Sequence, residues 1–174
     1  MKQKSVLKNI NKTQQKEGKV LKILYTGFKG KNNASCQLLS RITGDKLFLT
    51  NSFVGLKRDI ISISGKYDLA IMFGLDKNLK NSIRVETVAE YDGCRMTTEL
   101  DVKKMIEFLE MEGLKCAISY IPTKYLCNAA YLHMLNKMDG RAIFIHIPSL
   151  KNMPEEMMEK IVNSMERMKK LGLL

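Results

Sequence analysis

Cysteine is scarce in this sequence and nowhere clustered. Cys36, Cys94, Cys116 and Cys127 are scattered along the chain, and none forms a C-x-x-C pair. That excludes a zinc ribbon and a thioredoxin-like motif, and a reducing compartment would keep all four as free thiols. No apolar run approaches the ~20 residues that would span a bilayer. The Lys-rich, polar start also lacks the roughly 7–15-residue apolar core of a secretory signal. A cytoplasmic location without membrane attachment is therefore the expectation. Histidine is scarcer still, with only His133 and His146, so a cysteine–histidine pair has few candidates. Neither an internal repeat nor a linker is visible.

What remains is the composition of one soluble globular domain. A chain of 174 residues is long enough for one sizeable core and too short for two comfortable domains. The net charge of +11 is partly local: residues 1–19 hold six lysines against Glu17. That segment, rich in Asn, Gln and Lys, reads as a basic, flexible arm preceding a domain over 20–174. The rest of the charge is spread, with no Arg-rich stripe, no reader motif and no interleaving of aromatic and basic residues. A lysine-rich solvated surface accounts for it, and nucleic acid is not the expected partner.

From Val20 onward strand and helix patterns alternate. Val20–Thr26 reads as a strand stopping at Gly27, Ser35–Ile42 as a helix, and Lys46–Val54 as a second strand. Leu69–Phe73 is a continuous apolar run ending at Gly74, as in a strand buried on both faces of a parallel sheet. Ser82–Ala89 alternates as one more strand. Thr97 and Thr98 with Glu99 and Asp101 start a helix that ends near Gly113. A strand over Cys116–Ile121, a helix over Leu126–Met138 and a strand over Ala142–Ile147 follow. Pro154 opens a last helix with Glu155 and Glu156 in its first turn and Lys169 and Lys170 in its last, matching the helix dipole. The order predicts a single-domain, three-layer α/β/α sandwich around a mixed, mostly parallel sheet.

Three residues on this scaffold suit nucleophilic chemistry. Cys127 follows a strand and begins a helix, where the dipole would favour the thiolate and lower its pKa. Spare N–H groups of that first turn suit an oxyanion. His146 lies near the end of a buried strand, facing the usual crevice of an open α/β sheet. Glu86 interrupts an apolar strand and is of the right type to orient an imidazole. Each also has a structural explanation: a small buried thiol, a satisfied core histidine, and the solvent face of an edge strand.

Taken together, the segments around these residues resemble pyroglutamyl peptidase type I. Tyr25-Thr26-Gly27-Phe28, Asn33-Ala34-Ser35 and Asp68 to Leu75 occur in that family's order. Val85-Glu86-Thr87-Val88-Ala89, Ser119-Tyr120, Tyr125-Leu126-Cys127-Asn128 and Phe144-Ile145-His146-Ile147-Pro148 continue it. The resemblance implies a cysteine exopeptidase, without cofactor or metal, acting on peptides with a blocked N-terminus. Cys127, His146 and Glu86 would form its catalytic triad and an acyl-thioester its intermediate. Phe28, Tyr125, Arg95 and Asn33 would lie on the substrate side, and the protein would assemble as a dimer or tetramer. Departures are equally visible. Lys31 stands where the family has its second pocket aromatic, Pro122-Thr123-Lys124 replaces Ala-Gly-Thr, Thr87 replaces an arginine, and only Met96 separates Arg95 from Thr97. They keep open a second reading, a family-derived protein that binds a ligand or partner without hydrolysis.

Overall fold

The structure, a computed structural model, describes residues 20–123 and 125–173. The basic arm, Lys124 and Leu174 lie outside the described residues. Eight strands and five helices follow one another as β1 (Ile23–Phe28), α1 (Ala34–Arg41), β2 (Asp45–Leu49), α2 (Phe53–Ile61), β3 (Leu69–Leu75), β4 (Ile83–Glu86), β5 (Val88–Tyr91), β6 (Cys94–Thr97), α3 (Val102–Met111), β7 (Cys116–Ser119), α4 (Leu126–Lys137), β8 (Ala142–Ile147) and α5 (Glu155–Leu171). Six strands form one sheet in the order β2-β1-β3-β8-β4-β7. β2, β1, β3 and β8 run parallel, whereas β4 pairs antiparallel with β8 and carries β7 parallel to itself. The mixed, mostly parallel three-layer sandwich is the architecture the alternating pattern implies.

The layers follow from the two-residue period of strands. Ile71 and Phe73 of β3, with Ile143 and Ile145 of β8, face one core, which α1, α3 and α5 cover. Ala70 and Met72, with Ala142 and Phe144, face the other, covered by α2, α4 and the β5–β6 hairpin. Both faces of the central strands are therefore apolar, which explains their unbroken hydrophobic runs. Gly74 and His146 are the next inward positions on the second face, paired with each other in register.

Four segments differ from their sequence patterns. The helix expected to start at Thr97 and Thr98 begins only at Val102, because Thr97 pairs with Val88 as the end of β6. Gly27 lies inside β1, which continues to Phe28. The run read as one strand to Val54 ends at Leu49, and Ser52 caps a helix instead, its Oγ accepting from Gly55 N at 3.1 Å. The alternating stretch through Ala89 breaks at Thr87, whose N–H and Oγ1–H both reach the Ser119 carbonyl (3.0 and 2.8 Å). The chain then leaves the sheet for a hairpin that turns at Asp92 and Gly93, both at positive φ.

Candidate active site

α4 begins directly at the cysteine. Tyr125 occupies the N-cap position without a side-chain cap, and Cys127 is the second helical residue, so its N–H is one of the donors a helix leaves unpaired. Asn128 anchors this turn to the hairpin: its Oδ1 accepts from Glu90 N at 3.0 Å, and its Nδ2 donates to the Glu90 carbonyl. Cys127, His146 and Glu86 line one narrow cleft, too tight to hold a water molecule, together with Phe144, Thr123 and Asn128. Residues 60 positions apart thus meet because β4 and β8 are neighbours and α4 packs over the same sheet face.

His146 and Glu86 are both buried, and His146 Nδ1 lies 2.8 Å from Glu86 Oε1. Burial acts to raise the Glu86 carboxyl, but hydrogen bonds from His146 and Arg84 outweigh it and hold the pKa below the ordinary value. Glu86 is therefore a carboxylate and Nδ1–H is the donor, which leaves Nε2 as the ring nitrogen able to accept a proton whenever the imidazole is neutral. The Phe144 ring supports the imidazole from one side, with centroids 4.8 Å apart. Glu86 Oε2, also buried, accepts no hydrogen bond; the Ser119 hydroxyl near it donates to the Ile121 carbonyl at 3.0 Å.

The thiol differs from its expectation. Burial pushes Cys127 up to about 12, with the Glu86 and Asp76 charges adding to the rise, although its own backbone N–H acts the other way. Desolvation of the thiolate beats the helix end because the cleft is closed over the sulfur and the nearby carboxylates are negative. In this state Cys127 is a neutral thiol beside the imidazole.

The four residues expected on the substrate side are more dispersed. Phe28 is buried in the apolar cluster that holds Phe144 and against which Cys127 packs. Tyr125 is 77% exposed beside the cysteine. Asn33 caps α1, its Oδ1 receiving both the N–H and the hydroxyl of Ser35. Arg95, on the hairpin, pairs with Glu90 at 2.6 Å. Lys31 is exposed in the turn before α1 and does not line the cleft.

Arg84 and Asp76 escaped the sequence reading. Arg84 Nε donates to Glu86 Oε1 at 2.8 Å and Nη1 to Asp76 Oδ2 at 2.8 Å. The alternation of Ile83 and Val85 with Arg84 and Glu86 held the clue, since it puts both charges on one sheet face.

An α/β sandwich that brings a cysteine at a helix start and a carboxylate-bonded histidine into one cleft has the parts that thiol-nucleophile chemistry needs. Solved structures with this fold include pyrrolidone carboxyl peptidase from Thermococcus litoralis (TM-score 0.69, 23% identity, covering 88% of this chain and 93% of that one). Pyroglutamyl peptidase I from Bacillus amyloliquefaciens is similar (0.69, 18%, 90% and 96%), as is the enzyme from Fervidobacterium islandicum (0.65, 20%, 85% and 96%). No curated protein gives a significant sequence match. The family model for pyroglutamyl peptidase matches residues 75–171, a span that contains Glu86, Cys127 and His146. The chain belongs to the pyroglutamyl peptidase family.

Proposed function

We propose that the chain is a cysteine peptidase that removes an N-terminal pyroglutamyl, or similarly small, residue from peptides. The observation that carries this reading is the shared cleft of Cys127 and His146, with His146 held by Glu86 at 2.8 Å. His146 Nε2 takes the Cys127 proton as Sγ attacks the carbonyl carbon, and the Cys127 N–H stabilises the resulting oxyanion. His146 then gives that proton to the departing amine, so the C–N bond breaks and an acyl-thioester remains. Water, deprotonated by the same imidazole, adds to the thioester carbonyl; the C–S bond breaks, the acid leaves and the thiol regains its proton. Glu86 keeps Nδ1–H oriented and stabilises the imidazolium in both steps.

Phe28 and Tyr125 supply apolar surface near the thiol, and we assign them to the acyl group. Arg95 and Asn33 belong to the same proposal, although each reaches substrate only by exchanging its present partner. A cytoplasmic setting suits four unpaired cysteines. Among the described residues no helix is long and apolar enough to cross a membrane. Dimeric or tetrameric assembly belongs to the same family-based reading.

Turnover of a fluorogenic pyroglutamyl amide tests the proposal. Cys127→Ala should abolish it, while Cys36→Ala, Cys94→Ala and Cys116→Ala should retain most of it. Loss on Cys94→Ala alone would overturn the choice of nucleophile. The closed cleft and raised thiol favour a second reading, a binding protein that has lost hydrolysis. That reading expects no turnover and a Cys127 inert to alkylation at neutral pH, and rapid alkylation would sink it.

A further inference from the structure

Arg84 stands opposite His146 in the antiparallel pairing of β4 with β8, two register positions from Glu86 opposite Phe144 and so on the same sheet face. Glu86 Oε1 therefore receives two donors, His146 Nδ1 and Arg84 Nε, each at 2.8 Å. The far side of the guanidinium is tied to Asp76 by Nη1 at 2.8 Å. Its Nη2 lies 3.5 Å from His146 Nδ1. Since Nδ1 already carries the hydrogen given to Glu86, these two nitrogens are donors in contact and form no bond with each other. The Arg84 side chain is 26% exposed and that of Asp76 14%, so the pair is well shielded from water.

We propose that Arg84 is a positioning residue for the His146–Glu86 pair: clamped by Asp76, it fixes the Glu86 carboxylate on the ring and sets a positive charge against the imidazolium. The inference rests on the reading of His146 as the general base. A buried carboxylate alone beside a histidine favours the protonated ring, and a protonated ring cannot accept the thiol proton. Arg84 weakens that pull by sharing Oε1 and by repelling a charge formed 3.5 Å away. Asp76 limits the effect by neutralising the guanidinium from its other side. The charged and titratable groups facing the ring are Glu86 and Arg84 from β4, Asp76 from the segment after β3, and the Cys127 thiol from α4. From β8 itself it meets the uncharged Phe144.

The test follows the His146 ring by NMR as a function of pH in the full chain, with His133 as internal reference. Arg84→Met keeps the apolar stem and removes the charge, and should raise the proton affinity of His146 by about tenfold or more. Asp76→Asn should lower it. Arg84→Lys, which keeps the charge but not the two-armed grip, should fall between wild type and Arg84→Met. His133 should not move in any of them. If Arg84→Met fails to fold, the opposite shifts expected of Arg84→Lys and Asp76→Asn still carry the test. An unchanged His146 titration in the folded variants, or shifts of the same sign in all of them, would overturn the proposal. In an active enzyme the acid limb of kcat/KM should move upward with Arg84→Met. The NMR shifts without any turnover would leave the positioning role standing and remove the hydrolytic reading; turnover without the shifts would do the reverse.

Discussion

Gly74 sits opposite His146 in the β3–β8 pairing, on the face where Cys127 and Phe144 meet. A Cβ added there would fall 2.5 Å from the Phe144 ring and 3.0 Å from the Cys127 sulfur. A hydrogen at this position is what lets α4 lower its thiol onto the sheet beside the imidazole. Gly74→Ala should therefore displace the sulfur or the ring that supports His146. We expect a stability loss of about 1–3 kcal/mol from overpacking and a fall in kcat on the order of 100-fold from misplacement, read by thermal melting and by turnover. The sequence marked Gly74 only as the end of a strand, because the need for glycine comes from atoms 53 and 70 residues away. Cys127, His146 and Glu86 were legible as residue types in suitable places, and the motif text around each made them so. Arg84 and Asp76 were not: alternation puts Arg84 on the face of Glu86, but nothing local shows that it is clamped between two carboxylates.

Helices and strands with strong local patterns were readable, and those decided by neighbours were not. The runs at β3 and β8 are apolar on both faces, and their length and composition specify buried strands. The helix after Thr97 and Thr98 was readable but not its start: Asp101 is the cap, its Oδ1 accepting from Lys104 N at 3.0 Å. α2 was hidden because Phe53 and Val54 extend the β-prone run of β2. Ser52 caps the helix, and packing of Leu56 and Ile60 into the second core retains it. Ser52→Ala should cost about 1 kcal/mol, seen as a lower melting temperature with unchanged turnover, because α2 contributes no residue to the cleft. The break at Thr87 was likewise invisible to alternation. The Ser119 carbonyl on β7 captures both Thr87 donors, and β7 is remote in sequence.

For the whole molecule, burial of ionisable groups sets how stability depends on pH. Burial pushes the Cys127 thiol to about 12, and Cys116 to about 12 as well, with Glu110 adding to the latter. An unfolded thiol loses its proton near pH ~8.5, so above that value the unfolded state binds fewer protons than the folded one. Stability contributed by these thiols is complete below about pH 8.5 and is lost as pH rises toward about 12. Cys127 should give a slope of up to about 1.4 kcal/mol per pH unit. Chemical denaturation between about pH 8.5 and 10, below the ordinary tyrosine range, should show the combined slope of both thiols in wild type and, in Cys127→Ala, one flatter by up to that amount. The acid side runs the other way. Despite burial, hydrogen bonds and ion pairs lower the Glu86 and Asp76 carboxyls. Their contribution is full above the unfolded carboxyl range near pH ~4 and is lost as pH falls through their folded values.

The sequence by itself determined the alternating elements, the two-faced apolar strands and the residue types able to carry nucleophilic chemistry. Those properties depend on side-chain period, capping and turn chemistry within a few residues. Tertiary structure alone decided that β4 would run against β8, that Arg84 would join Glu86 and Asp76, and that the half-buried cysteine would be a thiol with a raised rather than a lowered pKa. Desolvation and charge pairing depend on every group within a few ångströms, and those groups come from β3, β4, α4 and β8, which only the folded sheet brings together.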